Sequence, residues 1–283
     1  MKYSLRSSFS RYVLTLFVAV FALTIVGRVV SLSNAAEFCK GWPLCIPSAP
    51  LGWIKLAHLS LVGVASLLMI VVFRKAWREQ REHRVLLPLT TILTVMFFGQ
   101  ALVGAQLAGQ PRAQGLAALH DLTTIALWVP LVLLVYASGV LIKSEGFVVK
   151  FDYRQRAKDF FTLTKPLIVG LLLITTYGGL VVGMKAWPPF SLTMWTLIGG
   201  ALASGGSGAL NQYIDRQIDR QMKRTSKRPL ADGRLTDAEG LAFGLGLSLT
   251  SYYVFACFVN DLAALLSLAG IIYYVIVYSV WLK

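Results

Sequence analysis

Asn211, Asp215 and Asp219 stand at intervals of four in the run ALNQYIDRQIDRQ, a spacing that stacks three side chains on one helix face. Two carboxylates and an amide gathered this way present hard oxygen donors, the kind Mg2+ takes when it keeps waters and bridges to phosphates. Arg216, Arg220, Lys223, Arg224, Lys227 and Arg228 follow at once, and cations there can hold diphosphate oxygens. The pattern suggests a Mg2+–diphosphate site. The plainer alternative is a solvated helix end whose aspartates and arginines pair with one another. Such a site favours departure of diphosphate from an allylic substrate, because metal and cations neutralise charge on the leaving group.

A second set of residues lies in the first half. His58 and His120 each stand near the start of an apolar run. An imidazole inside a membrane span is costly unless paired or ligating. At matched depth on separate helices, the two can supply both axial ligands of a haem inside a four-helix bundle; alternatively, each hydrogen-bonds a neighbouring helix or interfacial water. His83, among the charges of REQREHR, is expected to be solvated. Cys39 and Cys45 lie in FCKGWPLC, where Gly41 and Pro43 let the loop bring the sulfurs together. A structural bridge and a redox-active pair both fit. Cys257 reads as a small apolar residue inside a span.

The elements that must position these groups are membrane helices. The 283 residues are 56% hydrophobic and 14% charged, against about a quarter charged in a soluble domain. Eight apolar runs, near 12–32, 52–73, 86–108, 117–142, 164–184, 192–210, 239–259 and 262–282, approach the roughly 20 residues that span a bilayer core. Of the 27 Lys and Arg, all but Arg28, Lys40, Lys55, Arg112 and Lys185 fall on one side of an alternating topology. The positive-inside rule then places both termini in the cytoplasm, in the cell (inner) membrane. The net charge of +14 reads as basic loops meeting the anionic lipid bilayer, and nucleic acid is not an expected partner. The first run is long for a signal peptide and reads as a span. The expected fold is all-α, a polytopic transmembrane helical bundle of about eight spans in two four-helix modules, 1–150 and 151–283, around the polar stretch KSEGFVVKFDYRQRAKDFFTLT.

The first module resembles one half of haem A synthase. The resemblance rests on GRVVSLSNAAEFCKGWPLC, on His58 early in the second span, and on Gln100 and Gly104 of GQALVGAQL. It implies haem ligation by His58 and His120. Three departures stand out: one four-helix half instead of two, Lys55 in place of an acidic residue, and His58–Leu59 in place of a His-Arg pair. These bear on oxygenation of the haem methyl more than on haem binding.

The stretch 155–283 resembles the intramembrane prenyltransferases of the UbiA superfamily, whose first aspartate-rich motif is N-x-x-x-D-x-x-x-D. Within them it is most similar to the protohaem IX farnesyltransferase (haem O synthase) family. The details are Ala209–Asn211 without a following Asp, Ile218–Asp219, Met222, Arg224–Thr225, Arg228–Leu230, Gly233–Arg234, Glu239–Gly240 and Phe243–Gly244, with Lys165–Pro166 ahead of them. The resemblance implies transfer of farnesyl from farnesyl diphosphate to haem B for terminal-oxidase biogenesis, with terminal-oxidase assembly factors as partners. Asn211, Asp215 and Asp219 would be the catalytic set, Asp215 and Asp219 the Mg2+ ligands, and Lys165, Arg224 and Arg228 the diphosphate-binding residues. Two other readings are a UbiA-type prenyltransferase acting on an aromatic quinone precursor, and a haem-binding electron-transfer protein with an inactive partial prenyltransferase domain. The family has about nine spans and a second aspartate-rich motif on a later helix. The chain is therefore expected to be a fragment of a longer reading frame that holds half of the metal site.

Overall fold

Ser8–Leu32 forms the first long helix (α1), opened by Ser7, whose hydroxyl accepts from the Ser10 backbone N–H. The computed structural model describes residues 7–40, 43–109, 114–140 and 152–282. Lys2, Arg6, Gly41, Arg112, Lys143, Lys150 and Lys283, and with them part of the charge topology and of the polar linker, lie outside the described residues. Helices carry every long element among those residues, and no strand occurs there. The chain divides into two units, Met1–Gln80 with Leu93–Phe147 and Arg81–Ile92 with Val148–Lys283.

In the first unit, α1 packs on α2 (Gly52–Glu79) and on α4 (Gln114–Val140), and α3 (Leu86–Gly109) supplies its later turns. Phe9, Val13, Leu16 and Val20 of α1 recur at steps of four, three and four, as do Ala65, Met69, Val72 and Ala76 of α2. Each set makes one buried stripe, the geometry of two helices meeting along a seam. Trp128 receives Phe17 and Phe21 edge-on, at centroid distances of 5.5 and 6.1 Å. Val18, Phe21, Ile25, Leu67 and Ile125 face outward, as suits a helix surface solvated by lipid.

The second unit holds the polar helix α5 (Tyr153–Leu163), then α6 (Pro166–Met184), α7 (Phe190–Gln221), α8 (Asp237–Phe258) and α9 (Asp261–Ile272). The last of these passes into a π-helical stretch, Tyr273–Trp281. α7 and α8 cross closely because glycine stands at the contact. A Cβ at Gly206 would lie 2.6 Å from Ser248 Oγ, and one at Gly244 2.8 Å from the Leu210 side chain.

Seven helices among the described residues are long and apolar enough to cross a membrane. The architecture is a polytopic helical membrane bundle. The sequence count of about eight differs at α7, which has the length at 32 residues but is rich in Gly, Ser and carboxylates. It touches α6, α8 and α9, and a helix enclosed by other helices needs small residues for close approach more than it needs greasy ones.

Arg81–Ile92 groups with the second unit, so the division departs from a single linear boundary near residue 150. The cause is ionic. Glu239, fully buried, pairs with Arg81 and Arg156, while Asp237 pairs with Arg84 and Arg216. Thr236 and Glu239 also form a reciprocal capping box that opens α8. His83 is not simply solvated: half-buried, its Nδ1 accepts from the backbone N–H groups of Val85 and Leu86 and so caps α3. Burial holds its pKa below the usual histidine value.

Candidate functional site

α7 is continuous through Gln221, so Asn211, Asp215 and Asp219 do share one helix face. All three are buried, at 3%, 9% and 4% exposure, so this is not a solvated helix end. Asp219 accepts Arg228 Nη1 at 2.9 and 2.7 Å on its two oxygens. Asn211 Nδ2 donates to Asp215 Oδ2 at 3.1 Å and to Ser279 Oγ at 3.0 Å. Lys165 Nζ donates to Asn211 Oδ1. Lys165 precedes Pro166, which disfavours the right-handed helical conformation, and its backbone sits at φ 55°. That left-handed turn lets α5 end and α6 begin at the point where the ammonium meets the amide.

The basic loop after α7 divides into engaged and disengaged cations. Arg216 pairs with Asp237 and lies over the Tyr213 ring, Arg220 donates to the Ala231 carbonyl, and Arg228 holds Asp219. Arg224 is exposed, as are Lys223 and Lys227. The structure therefore brings Lys165, Asn211 and Asp215 together and Asp219 together with Arg228, with Arg224 exposed on the loop that follows.

Sequence reasoning missed Ser279. Nothing in YYVIVYSVWLK marks it, because the π-helical register that turns it toward Asn211 has no period readable in an apolar run. Glu239 was visible only as part of a motif; its place beneath two arginines needed the fold.

Asp215 and Asp219 give an oxygen-only donor pair one turn apart. This suits Mg2+, which binds through one or two carboxylates and completes its shell with water and phosphate. Among the described residues no group of three acidic, His or Cys side chains gathers to hold a metal without such help. An apolar cavity of about 540 Å3 lies beside Lys165, lined by Phe160, Thr164, Pro166, Gly170, Leu202 and Phe243 among others.

In the first unit His58 and His120 lie within electrostatic range of each other. Each ring sits against a glycine. A Cβ at Gly27 would fall 2.9 Å from His58 Cε1, and one at Gly104 3.2 Å from His120 Nε2. His58 Nδ1 is buried and makes no hydrogen bond of ordinary geometry among the described residues, although the Leu23 backbone comes near enough to the ring to interact with it. Gln100 fixes the α4 backbone at the second histidine: its Nε2 donates to the His120 carbonyl at 2.8 Å and to Thr124 Oγ1, and its Oε1 accepts from Thr123. Two imidazoles, each packed against a glycine and one with a nitrogen making no ordinary hydrogen bond, fit an axial haem pair. Cys39 and Cys45 are joined in a disulfide with Cα atoms 5.3 Å apart, both buried. Cys257 is free and half-buried.

Residues 172–283 match the model of the UbiA prenyltransferase family. The chain is 33% identical to the protoheme IX farnesyltransferase of Roseiflexus sp. (strain RS-1) over 93% of its own length and 53% of that protein's. It is 32% identical to protoheme IX farnesyltransferase 1 of Natronomonas pharaonis over 98% of its length and 65% of the relative's. Against the Streptomyces avermitilis protoheme IX farnesyltransferase, identity is 47% over 45% of this chain and 42% of that one. The first two similarities run through both units, and the chain spans about half the length of the Roseiflexus relatives. No solved structure matches the chain.

Proposed function

We propose that this chain serves haem O biosynthesis, its α7 face taking farnesyl diphosphate with Mg2+ for transfer of the farnesyl group to protohaem IX. The observation that carries this reading is the buried line Lys165–Asn211–Asp215 beside the Asp219–Arg228 pair. Isolated buried carboxylates are costly, and these are held ready by an amide and a guanidinium. The protoheme IX farnesyltransferase similarity supplies the substrates.

In this reading Asp215 and Asp219 would hold Mg2+, whose charge would offset that developing on the departing diphosphate. Asn211 orients Asp215, Lys165 and Arg228 receive the diphosphate oxygens, and Arg224 meets them from the loop. The apolar wall around Phe160 and Phe243 accommodates the isoprenoid chain and keeps water from the allylic cation. The C–O bond to diphosphate breaks with its electron pair on the leaving group. A carbon–carbon bond forms to a haem vinyl group, and the charge passed to the acceptor is discharged by water. In the first unit, related to haem A synthase in this reading, His58 and His120 ligate haem. The loop carrying Arg228 faces the cytoplasm of a cell membrane, as do both termini, and the work feeds terminal-oxidase assembly.

The test is to incubate full-length protein with haem B, farnesyl diphosphate and Mg2+ and to resolve the haems by mass. A farnesylated haem that disappears with chelator is the expected product. Transfer to an aromatic quinone precursor with none to haem would overturn the acceptor assignment.

A further inference from the structure

We infer that Ser279 is a positioning residue for Asp215, acting through the Asn211 amide, an inference that rests on the Mg2+–diphosphate reading of α7. The amide of Asn211 has one acceptor oxygen and two N–H donors. Lys165 engages the oxygen, so the nitrogen must face the other way, toward Asp215 Oδ2 and Ser279 Oγ. Both groups lie in a buried setting: Ser279 is 1% and Asn211 3% exposed. Without the serine oxygen, one amide N–H would be left buried and unsatisfied, the costly outcome for a polar group. Asn211 would then rotate or loosen, and its hold on Asp215 Oδ2 would go with it.

The π-helical stretch Tyr273–Trp281 makes this contact. Ser279 Oγ donates to the Tyr274 carbonyl, five residues back, at 3.1 Å, and accepts from Asn211. An α-helical serine bonds three or four residues back; the five-residue step belongs to the wider π turn, a form that concentrates at functional sites. Ser279 is the one buried residue of the stretch, which packs on α7. Its neighbours Tyr278 and Val280 point outward, so the register of the π turn selects the serine. Lys165, Asn211 and Ser279 thus tie the start of α6, α7 and the π-helical stretch after α9 to one carboxylate.

The test reads metal binding, not turnover. Mn2+ is titrated into the full-length protein in detergent with inorganic diphosphate, and free Mn2+ is followed by electron paramagnetic resonance. Ser279→Ala is expected to weaken Mn2+ binding about tenfold, the effect of losing one hydrogen bond to a charge-linked network, and to lower the melting temperature slightly through the unsatisfied Asn211 N–H. Ser279→Thr, which keeps the hydroxyl, should restore it. Ser279→Cys keeps the volume with a weak acceptor and should bind as Ser279→Ala does, which covers the case of an alanine variant that does not fold. Wild-type affinity in both Ser279→Ala and Ser279→Cys, with binding lost in Asp215→Ala, overturns this inference and leaves the metal site standing. Wild-type affinity in Asp215→Ala sinks the metal reading and this inference together.

Discussion

The α7 face and the histidine pair handle buried polarity in opposite ways. On α7, Asn211 is bonded on three sides, to the Lys165 ammonium, the Asp215 carboxylate and the Ser279 hydroxyl, and beside it Asp219 is gripped by the Arg228 guanidinium. At the histidines one nitrogen makes no ordinary hydrogen bond among the described residues, and glycines stand where side chains would crowd the rings. A closed network holds its geometry before any ligand arrives and yields a cation position only by exchanging partners, Arg228 above all. An orphaned nitrogen is a debt that a ligand can settle. The contrast teaches that a bonded network and an unpartnered polar atom are separate signatures, and that each has its own test.

The largest effect is expected where the closed set meets the metal. Asp219→Asn keeps the shape and one contact to Arg228 but removes the charge, and farnesyl transfer should fall roughly 10²–10³-fold. A variant within threefold of wild type, by mass analysis of haem products, would show that Asp219 serves only to hold Arg228. Next comes the support beneath. Glu239→Ala removes the buried carboxylate that Arg81 and Arg156 share and should cost about 3 kcal/mol, read in denaturant unfolding of the purified protein. An unchanged midpoint would break the idea that ion pairs hold Arg81–Ile92 to the second unit. The smallest effect belongs to the open site. Gly27→Ala pushes a methyl onto His58, and overpacking of roughly 1 kcal/mol implies haem uptake about fivefold weaker. The Soret band on haem titration measures it, with His58→Ala as the reference for complete loss; equal titrations for Gly27→Ala and wild type would mean the glycine does not shape a haem site.

Much of this was legible beforehand. The spacing of Asn211, Asp215 and Asp219 gave one face because helical period is local, and a continuous α7 was all it required. The runs around His58 and His120 gave helices for the same reason. Three things were not legible. The count near eight included α7, whose Gly, Ser and carboxylates set it apart from the seven most apolar helices among the described residues. The loop after α7 read as a uniform block of charge, whereas Arg216 and Arg220 are engaged elsewhere and Arg228 holds Asp219. The division near 150 ignored Arg81–Ile92, whose allegiance is set by acids some 150 residues away.

The sequence by itself determined which residues lie on which helix, which helices are apolar, and that acids, imidazoles and cysteines recur at chemically meaningful steps. These follow from near-neighbour geometry, a turn every 3.6 residues. The tertiary structure alone decided that Arg228 closes on Asp219, that Lys165 and Ser279 approach Asn211 from opposite ends of the chain's second half, and that Glu239 sits fully buried between two arginines. Those contacts join residues 9 to 158 positions apart, and no local period encodes a partner at that distance; packing of glycine-lined helices had to bring them together first.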